Sequence, residues 1–466
     1  MRKVVCILAG VMLLGNVFSG ASFADETDQN VQLIGPGGQQ NNIMQSGGGP
    51  EGGQSAVPSV PDQSASEQNQ AEQGSSQNVE GPVAGAGTSD SGNSQAFGNP
   101  GSSQAPAGPG YGGIPIRREI GPGIKSEENG DGTVEGEPRI PWNNFLDSAI
   151  LNPVVKVAEK YSYDQMVSDI QQLQARYGEK IHVNVIGQSH DGRDIYEVIV
   201  GNINAPKHIL LQGAIHAREY MTPLLMMKQA ETVLFHYDTG QYDGMMLRDM
   251  LQQTALHFIP MSNPDGVALS QFGLDGLRSD FLKQTVLSCY ARDTAEGRTA
   301  LPIEQYLPLW KSNAMGVDLN HNFPADWDGI ITSAAANSFA GYKGASPLSE
   351  PESQALASMA DKYSWTATIS YHSMGNIIYW DTQISKVKDA SMSLAQRISG
   401  VTGYRMDESD GKGGYKDWMQ SKDSPVPGIT IEVGSVSCPL PVSQYDEVWK
   451  QNRAVWAEAL KWSMGR

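Results

Sequence analysis

Four polar residues stand at the ends of otherwise apolar stretches, and their types suit metal chemistry. His216 and Glu219 follow the run "HILLQGAI", His372 ends "WTATISYH", and Glu432 interrupts "PGITIEVG". Two histidines and a glutamate form a common catalytic zinc set that leaves one position open for water. A buried carboxylate is costly unless it is paired or belongs to a site, so we expect Glu432 to be the base that activates this water.

Each of these residues also has a structural interpretation when it is taken alone. An HxxE pair is short enough to arise by chance in a surface turn. His372 alone would more often be a core histidine whose ring is satisfied by the backbone, and Glu432 alone is equally well explained as a member of an ion pair. The sequence favours a zinc site because all of these interruptions coincide.

The elements that must position these residues alternate between helices and strands. Met166, Ile170, Leu173 and Tyr177 share one face of a helix predicted over "SYDQMVSDIQQLQARYGEK", with Ser162 or Asp164 as its cap. Strands are predicted at "IHVNVIGQS", "DIYEVIVG", "HILLQGAIH", "ALHFIPMSNP", "WTATISYHS", "NIIYW" and "PGITIEVG". The intervening helices are predicted at "TPLLMMKQAETVLFHY", "EPESQALASMADKY" and "DASMSLAQRISG", with one closing helix over "SQYDEVWKQNRAVWAEALKWS". This order predicts an α/β fold around a mixed sheet, with ligands at the carboxyl ends of central strands.

The first third of the 466-residue chain differs in composition from the rest. Arg2 and Lys3, an apolar run and a small-residue stretch are typical of a secretory signal peptide over residues 1–24, the alternative being an uncleaved membrane anchor. Residues 25–141 are rich in Gly, Ser, Gln and Pro and predict a disordered segment. Residues 142–160 are interpreted as a connecting arm and 161–466 as the catalytic domain. We therefore expect a secreted, extracellular or cell-envelope protein, with no stable membrane insertion after signal removal.

The formal charge limits the possible partners, and the cysteines allow two redox states. A net charge of −18 argues against nucleic acid as a partner. After signal removal Cys289 and Cys438 remain, either as one disulfide or as two free thiols. We expect a monomer.

Five motifs in order give the region from Tyr161 onward a close resemblance to the zinc carboxypeptidase family. They are "HAREYMTP", "SNPDG", "WKSNAMGVDLNHNFP", "SYHS" and "GITIEVG". Within that family, "YSYDQMVSDIQQL", "IGQSHDGRDIY", "GYKDW" and "TIEVG" look most like the bacterial branch that contains γ-D-glutamyl-L-diamino acid endopeptidases. The resemblance implies a three-layer α/β/α carboxypeptidase-like fold and one Zn²⁺ per catalytic domain.

The resemblance also implies roles for residues that match the family's motifs. His216, Glu219 and His372 would bind zinc, and Glu432 would be the general base and acid. Asp318 in "GVDLN" matches the carboxylate that would orient His216 through its other ring nitrogen.

Further positions match groups that contact substrate. Arg218 matches a substrate-side arginine of the catalytic set, and Asn320 matches a residue that holds the terminal carboxylate of the substrate. Lys311 follows Trp310 where the digestive enzymes have an arginine that polarises the scissile carbonyl, and it lacks the bidentate fork. His321 replaces the arginine that clamps a C-terminal carboxylate, which puts strict carboxypeptidase behaviour in doubt.

The pocket for the residue after the cut bond carries another difference. Lys416 matches the pocket floor, where a cation would favour an acidic group such as the distal carboxylate of meso-diaminopimelate, although a lysine paired with Asp417 or Asp423 or left in solvent is the alternative. The mobile tyrosine of the digestive enzymes is missing from its place, which Ser409 roughly occupies, and Tyr415 nearby is a candidate substrate contact.

Three functions are therefore compatible with the sequence. The one that we favour is a secreted zinc metallopeptidase that hydrolyses γ-D-glutamyl to diamino-acid bonds, with meso-diaminopimelate or Lys, in peptidoglycan stem peptides, by Glu-assisted attack of zinc-bound water. The others are a broader metallocarboxypeptidase that trims ordinary peptides and an inactive binding protein with the same fold.

Overall fold

The computed structural model of the chain describes residues 145–409 and 412–466. The expected signal peptide, the segment 25–141 and the first residues of the arm lie outside the described residues. Within the described part, no helix is both long and apolar enough to cross a bilayer.

Within the described residues, eight strands form one mixed sheet and two short strands form a hairpin of their own. The strands are β1 Ile181–Gln188, β2 Asp194–Val200, β3 Lys207–Gln212, β4 Gln241–Tyr242, β5 Met245–Met246, β6 Thr254–Ile259, β7 Trp365–His372, β8 Ile377–Asp381, β9 Arg405–Glu408 and β10 Gly428–Glu432. The helices are α1 Tyr163–Tyr177, α2 Met221–Phe235, α3 Leu247–Gln253, α4 Pro264–Phe272, α5 Asp280–Ala295, α6 Ile303–Tyr306, α7 Pro351–Ser358, α8 Lys388–Thr402, α9 Tyr415–Ser421, α10 Tyr445–Asn452 and α11 Val455–Met464.

The large sheet has the order β1-β2-β6-β3-β7-β10-β8-β9, and its centre is parallel. β6, β3, β7 and β10 run in the same direction. At one side, β2 is antiparallel to both β1 and β6, and at the other side β8 is antiparallel to β10. The carboxyl ends of four neighbouring strands therefore meet at one edge, which is the arrangement that gathers ligand sites.

Helices cover both faces of this sheet. Ile209 and Leu211 of β3 face a core that includes residues of α1, α2, α8, α10 and α11, while Leu210 between them faces a second core with residues of α7 and α9. All three side chains are fully buried. A strand buried on both faces must be apolar throughout, which explains the unbroken run in the sequence. The three-layer α/β/α fold with a mixed sheet is thus confirmed.

The opening elements follow the sequence predictions closely. The Ser162 side chain accepts a hydrogen bond from the Gln165 backbone N–H and caps α1, whose buried residues include Met166, Ile170 and Leu173. β1 and β2 form the predicted antiparallel hairpin.

The prediction of one closing helix was wrong. The chain forms α10 and α11 with a break after Asn452. The backbone carbonyl of Asn452 accepts a hydrogen bond of 2.8 Å from the Gln229 side chain. The side-chain amide of Asn452 donates to the Tyr404 hydroxyl and to the Val448 carbonyl. The bonds to Gln229 and Tyr404 are tertiary contacts at the end of α10, and local periodicity does not reveal them.

Residues between the described start of the chain and Tyr161 pack onto the domain. Leu146, Val154 and Val155 are buried in the larger core. The backbone N–H groups of Val154 and Val155 donate to the buried Glu231 carboxylate at 2.5 and 3.2 Å. This part of the interpreted arm is therefore integral to the core.

Helices α5 and α6 form most of the segment between Phe272 and Leu309. Cys289 of α5 is buried in a third cluster with Trp310 and Ala217, whose sequence neighbours include Lys311, His216 and Arg218. Cys289 and Cys438 are both free thiols.

Gly213, immediately after β3, offers a test of how tightly this edge is packed. A Cβ there would lie 2.7 Å from the Met226 sulfur and 2.9 Å from Thr222 Oγ1. We expect Gly213→Ala to destabilise the protein by about 1–3 kcal/mol through overpacking. Gly400→Ala in α8 is the matched control, because nothing lies within 4 Å of its added Cβ, and it should stabilise by about 0.5–1 kcal/mol. Urea denaturation measures both, and equal effects of the two substitutions would contradict this packing account.

Candidate active site

The parallel strand ends bring the predicted residues together. His372 is the last residue of β7 and pairs in register with Glu432, the last residue of β10. His216 and Glu219 lie in the turn between β3 and α2. Because β3 is the other neighbour of β7, all four side chains meet at one edge of the sheet.

The turn that carries His216 is held by two side chains. Ala214 has a left-handed backbone conformation (φ 47°), and its N–H donates to Thr222 Oγ1 at 2.8 Å. The Asn263 amide donates to the carbonyls of Ile215 and Ser312 at 3.1 and 3.0 Å. Asn263 therefore fixes the histidine loop against the loop that carries Lys311. The motif "SNPDG" contains Asn263, but the spacing of a motif does not show which backbone groups its amide reaches.

His216, Glu219 and His372 have ligand atoms that lie within 4.8 Å of one another. The two Nδ1 atoms are 3.0 Å apart, and they lie 2.8 Å and 3.1 Å from the two oxygens of the Glu219 carboxylate. All three residues are at most 5% exposed. Burial alone would raise the pKa of Glu219, but the two histidines outweigh it and hold that pKa below its ordinary value.

This set fits a zinc ion. Its donors are two imidazole nitrogens and a carboxylate, which is the ligand set of catalytic zinc sites. Both imidazoles direct Nδ1 toward the shared carboxylate, so one ion at this point is within reach of all three residues. His216 presents its other nitrogen, Nε2, to Asp318 Oδ1 at 3.3 Å, and a second carboxylate of this kind orients a metal-binding imidazole.

Asp318 is fully buried and lies among three basic groups. Burial would raise its pKa, but Lys311, His321 and His216 together hold the pKa well below its usual range. Lys311 Nζ lies 3.3 Å from Asp318 Oδ2. The Lys311 ammonium is therefore anchored at the site by a carboxylate, although 23% of its side chain stays open to solvent.

The pKa of Glu432 is raised, in contrast to the lowered pKa values of Glu219 and Asp318. Burial raises the pKa of Glu432 to about 7, and Glu219 adds to the rise, while His372, Lys311 and Arg218 counter it. A carboxyl group with a pKa near neutrality can take up and release a proton, as a general base and acid must. The Arg218 Nε atom is buried without a hydrogen-bond partner among the described residues, which leaves a donor available in the site.

Two of the four candidate substrate residues are partly exposed and two are buried. Asn320 and His321 are partly exposed, and Asn320 Oδ1 lies 3.1 Å from where a Cβ on Gly414 would stand. Burial lowers the pKa of His321 below its ordinary value even though Asp318 counters it. The imidazole therefore lacks the permanent positive charge that an arginine clamp would provide.

Tyr415, the candidate substrate contact, lies in the core of the domain in this structure. Tyr415 is completely buried and packs edge-on against Phe323 and near Trp418. It is the first residue of α9, and its ring belongs to the second core.

Lys416 does not present an unpaired cation. Its Nζ forms an ion pair with Asp417 Oδ1 at 2.6 Å and donates to the Asp381 carbonyl at 2.7 Å. The pair is about 5% exposed. Of the two acidic partners considered from the sequence, Asp417 is the one in contact, and Asp423 instead pairs with Lys386. This buried position therefore holds a charge pair.

Most of the described part of the chain matches a known protein family. Residues 166–455 match the family described as Zinc carboxypeptidase. The chain belongs to the zinc carboxypeptidase family. It is accordingly a metallopeptidase, a hydrolase that acts on peptides, and the family assignment drawn from the five motifs is confirmed.

Similar proteins include a bacterial enzyme of defined name. The chain is 29% identical over 312 residues to Gamma-D-glutamyl-L-diamino acid endopeptidase 1 of Lysinibacillus sphaericus, covering 66% of this chain and 74% of that protein. It is 27% identical over 287 residues to Uncharacterized protein YqgT of Bacillus subtilis (strain 168), covering 59% and 70%. A structure of bovine thrombin-activatable fibrinolysis inhibitor in complex with tick carboxypeptidase inhibitor matches with a TM-score of 0.52 at 19% identity, over 67% of this chain and 99% of that one, and supports the fold.

The raised pKa of Glu432 predicts a pH-dependent stability effect in the metal-free protein. Because its folded pKa of about 7 lies above the ordinary 4.5, ionisation costs stability as pH rises from about 4.5 to 7, and the full cost is present above 7. Glu432→Gln removes that cost, so the metal-free variant should be more stable than wild type at pH 8 by about 1–3 kcal/mol.

Urea denaturation of the metal-free proteins at pH 5 and pH 8 measures this effect. The gain should shrink markedly at pH 5, where Glu432 is protonated in the folded wild type. An equal gain at both pH values would show that charge is not its cause.

Proposed function

We propose that this protein is a secreted zinc metallopeptidase that hydrolyses the bond between γ-D-glutamate and a diamino acid, meso-diaminopimelate or lysine, in peptidoglycan stem peptides. The observation that carries the proposal is the His216, Glu219, His372 and Glu432 constellation in a chain that spans 74% of a γ-D-glutamyl-L-diamino acid endopeptidase. The constellation supports peptide hydrolysis, and the similarity supports the choice of bond.

A zinc ion held by His216, Glu219 and His372 would supply a Lewis acid and lower the pKa of water beside it. Glu432 is placed next to His372 to accept a proton from the attacking water and to return it to the leaving amine. Asp318 holds the His216 ring, and the Arg218 guanidinium and Lys311 ammonium provide positive charge where negative charge develops on the scissile carbonyl oxygen.

The lowered pKa of His321 supports a relaxed requirement at the substrate C-terminus. A permanent cation there would favour substrates that end in a free carboxylate directly after the cut bond. A neutral imidazole offers hydrogen bonds without that preference. Stem peptides that continue beyond the diamino acid therefore remain acceptable substrates.

The Lys416–Asp417 pair supports recognition of a side chain that carries both charges. The distal end of meso-diaminopimelate bears an ammonium and a carboxylate, which complement an aspartate and a lysine. Asp417 Oδ2 lies 2.8 Å from the position of a Cβ on Gly414, beside the Asn320 amide, so the pair adjoins the candidate substrate residues.

The direct test uses L-Ala-γ-D-Glu-meso-diaminopimelate and the same peptide extended by D-Ala, with products identified by mass spectrometry. We expect zinc-dependent cleavage of the γ-glutamyl bond in both peptides, with kcat/KM values within about tenfold of each other. Glu432→Gln should lower the rate by about 10²–10⁴-fold, because the proton acceptor is lost. Trimming of ordinary peptides from the C-terminus with no γ-glutamyl cleavage would reject the proposal in favour of a general carboxypeptidase.

Substitution of Lys416 tests the recognition of the diamino acid. Lys416→Met removes the cation, so KM for the diaminopimelate tripeptide should rise by about tenfold or more, whereas a lysine-containing tripeptide without the distal carboxylate should change little. Lys386→Met is the control, since this lysine is half exposed and pairs with Asp423 outside the site. Equal losses on both peptides would indicate that Lys416 has only a structural role.

A further inference from the structure

A second group of potential metal ligands lies outside the active site. His190 is in the turn of the β1–β2 hairpin, and Glu350 and Glu352 lie at the start of α7. One ligand atom from each residue lies within 4.8 Å of the other two. His190 Nε2 is 2.9 Å from Glu350 Oε2. An imidazole and two carboxylates are ligands for divalent transition metals.

The two glutamates are buried, and Glu352 is incompletely hydrogen-bonded, whereas both oxygens of Glu350 have partners. Glu352 is completely buried and Glu350 is 6% exposed. The Asn313 amide donates to one oxygen of each, at 2.8 Å to Glu350 and 3.2 Å to Glu352. Glu352 Oε1 is buried with no hydrogen-bond partner among the described residues, so the carboxylate retains an unused ligand atom. A buried acceptor left in this state is costly unless something else satisfies it.

The electrostatic environment of Glu352 also favours a bound cation in this cluster. Burial raises the pKa of Glu352 to about 7, and the nearby Asp265 adds to the rise. Asp265 is already neutralised by Arg193 at 2.7 Å and is therefore not a free ligand. His190 has 29% of its side chain exposed, so an ion can enter from solvent and complete its coordination with water.

We propose that His190, Glu350 and Glu352 bind a second divalent transition-metal ion. Zn²⁺ is the probe of choice, because the set combines one imidazole with two carboxylates.

This second site would act on the active site through Asn313. The Asn313 side-chain oxygen accepts hydrogen bonds from the backbone N–H groups of Met315 and Val317, while its amide holds both glutamates. The Glu350 N–H in turn donates to the Asn322 side chain at 3.3 Å. The segment between Lys311 and Asn322 carries the groups that orient His216 and face substrate. An ion at the second site would therefore stiffen that segment, and its role is structural.

Metal counting tests the proposal without any assay of catalysis. The untagged full chain is stripped with a chelator, dialysed against buffered Zn²⁺, and analysed by mass spectrometry for zinc per chain. Wild type should bind about two equivalents. Glu352→Gln and His190→Gln should each retain one, and the double substitution Glu219→Gln with His372→Gln should also retain one. His182→Gln, which changes a histidine outside the cluster, should retain two.

Two results would overturn the proposal. One is a single equivalent in wild type that is lost with Glu219 and His372. The other is two equivalents that persist in both Glu352→Gln and His190→Gln. The second variant guards against misfolding, because His190 is partly exposed, and circular dichroism verifies each fold. Zn²⁺ should also raise the melting temperature of the Glu219 and His372 variant, and addition of His190→Gln should abolish that rise.

Discussion

The structure depends on how buried carboxylates are compensated at one edge of a parallel sheet. Glu219 and Asp318 are almost or wholly inaccessible to water, and Glu432 stands beside them in a position where burial raises its pKa. Bringing carboxylates together in such surroundings is favourable only when cations or hydrogen-bond donors accompany them. The two ligand histidines and Lys311 supply part of this compensation. A metal ion would supply the rest, so folding and metal binding draw on the same charges.

This constraint assigns different tasks to chemically identical groups. Glu219 is held ionised between two histidines and suits a ligand, whereas Glu432 keeps a pKa near neutrality and suits proton transfer. Glu352, away from the catalytic edge, is another buried carboxylate without full compensation, because its Oε1 atom has no hydrogen-bond partner among the described residues. Asn313 and Asn263 tie these charged regions to the loops between them. Neutral amides thus hold the loops of both regions in place.

Much of this arrangement could be predicted from the sequence, and the remainder depends on tertiary contacts. His372 and Glu432 end apolar strands and His216 follows another, so the coincidence of these polar residues with apolar stretches singles out the set, although no single residue does so alone. The pairing of Lys416 with Asp417 and the burial of Tyr415 follow from the orientation of α9, which local sequence does not determine. The cluster of His190 with Glu350 joins positions 160 residues apart, so no local motif could reveal it.

Anomalous diffraction at the zinc edge from crystals of the zinc-loaded protein tests the central claim most directly. The account predicts a strong zinc peak among His216, Glu219 and His372, with Glu432 beside it and outside the ligand set. A protein that is folded and fully zinc-loaded but shows no anomalous peak among these three side chains would contradict it. In that case the carboxylates at the sheet edge would be compensated by protons, and the chain would lack the metal centre on which the proposed hydrolysis depends.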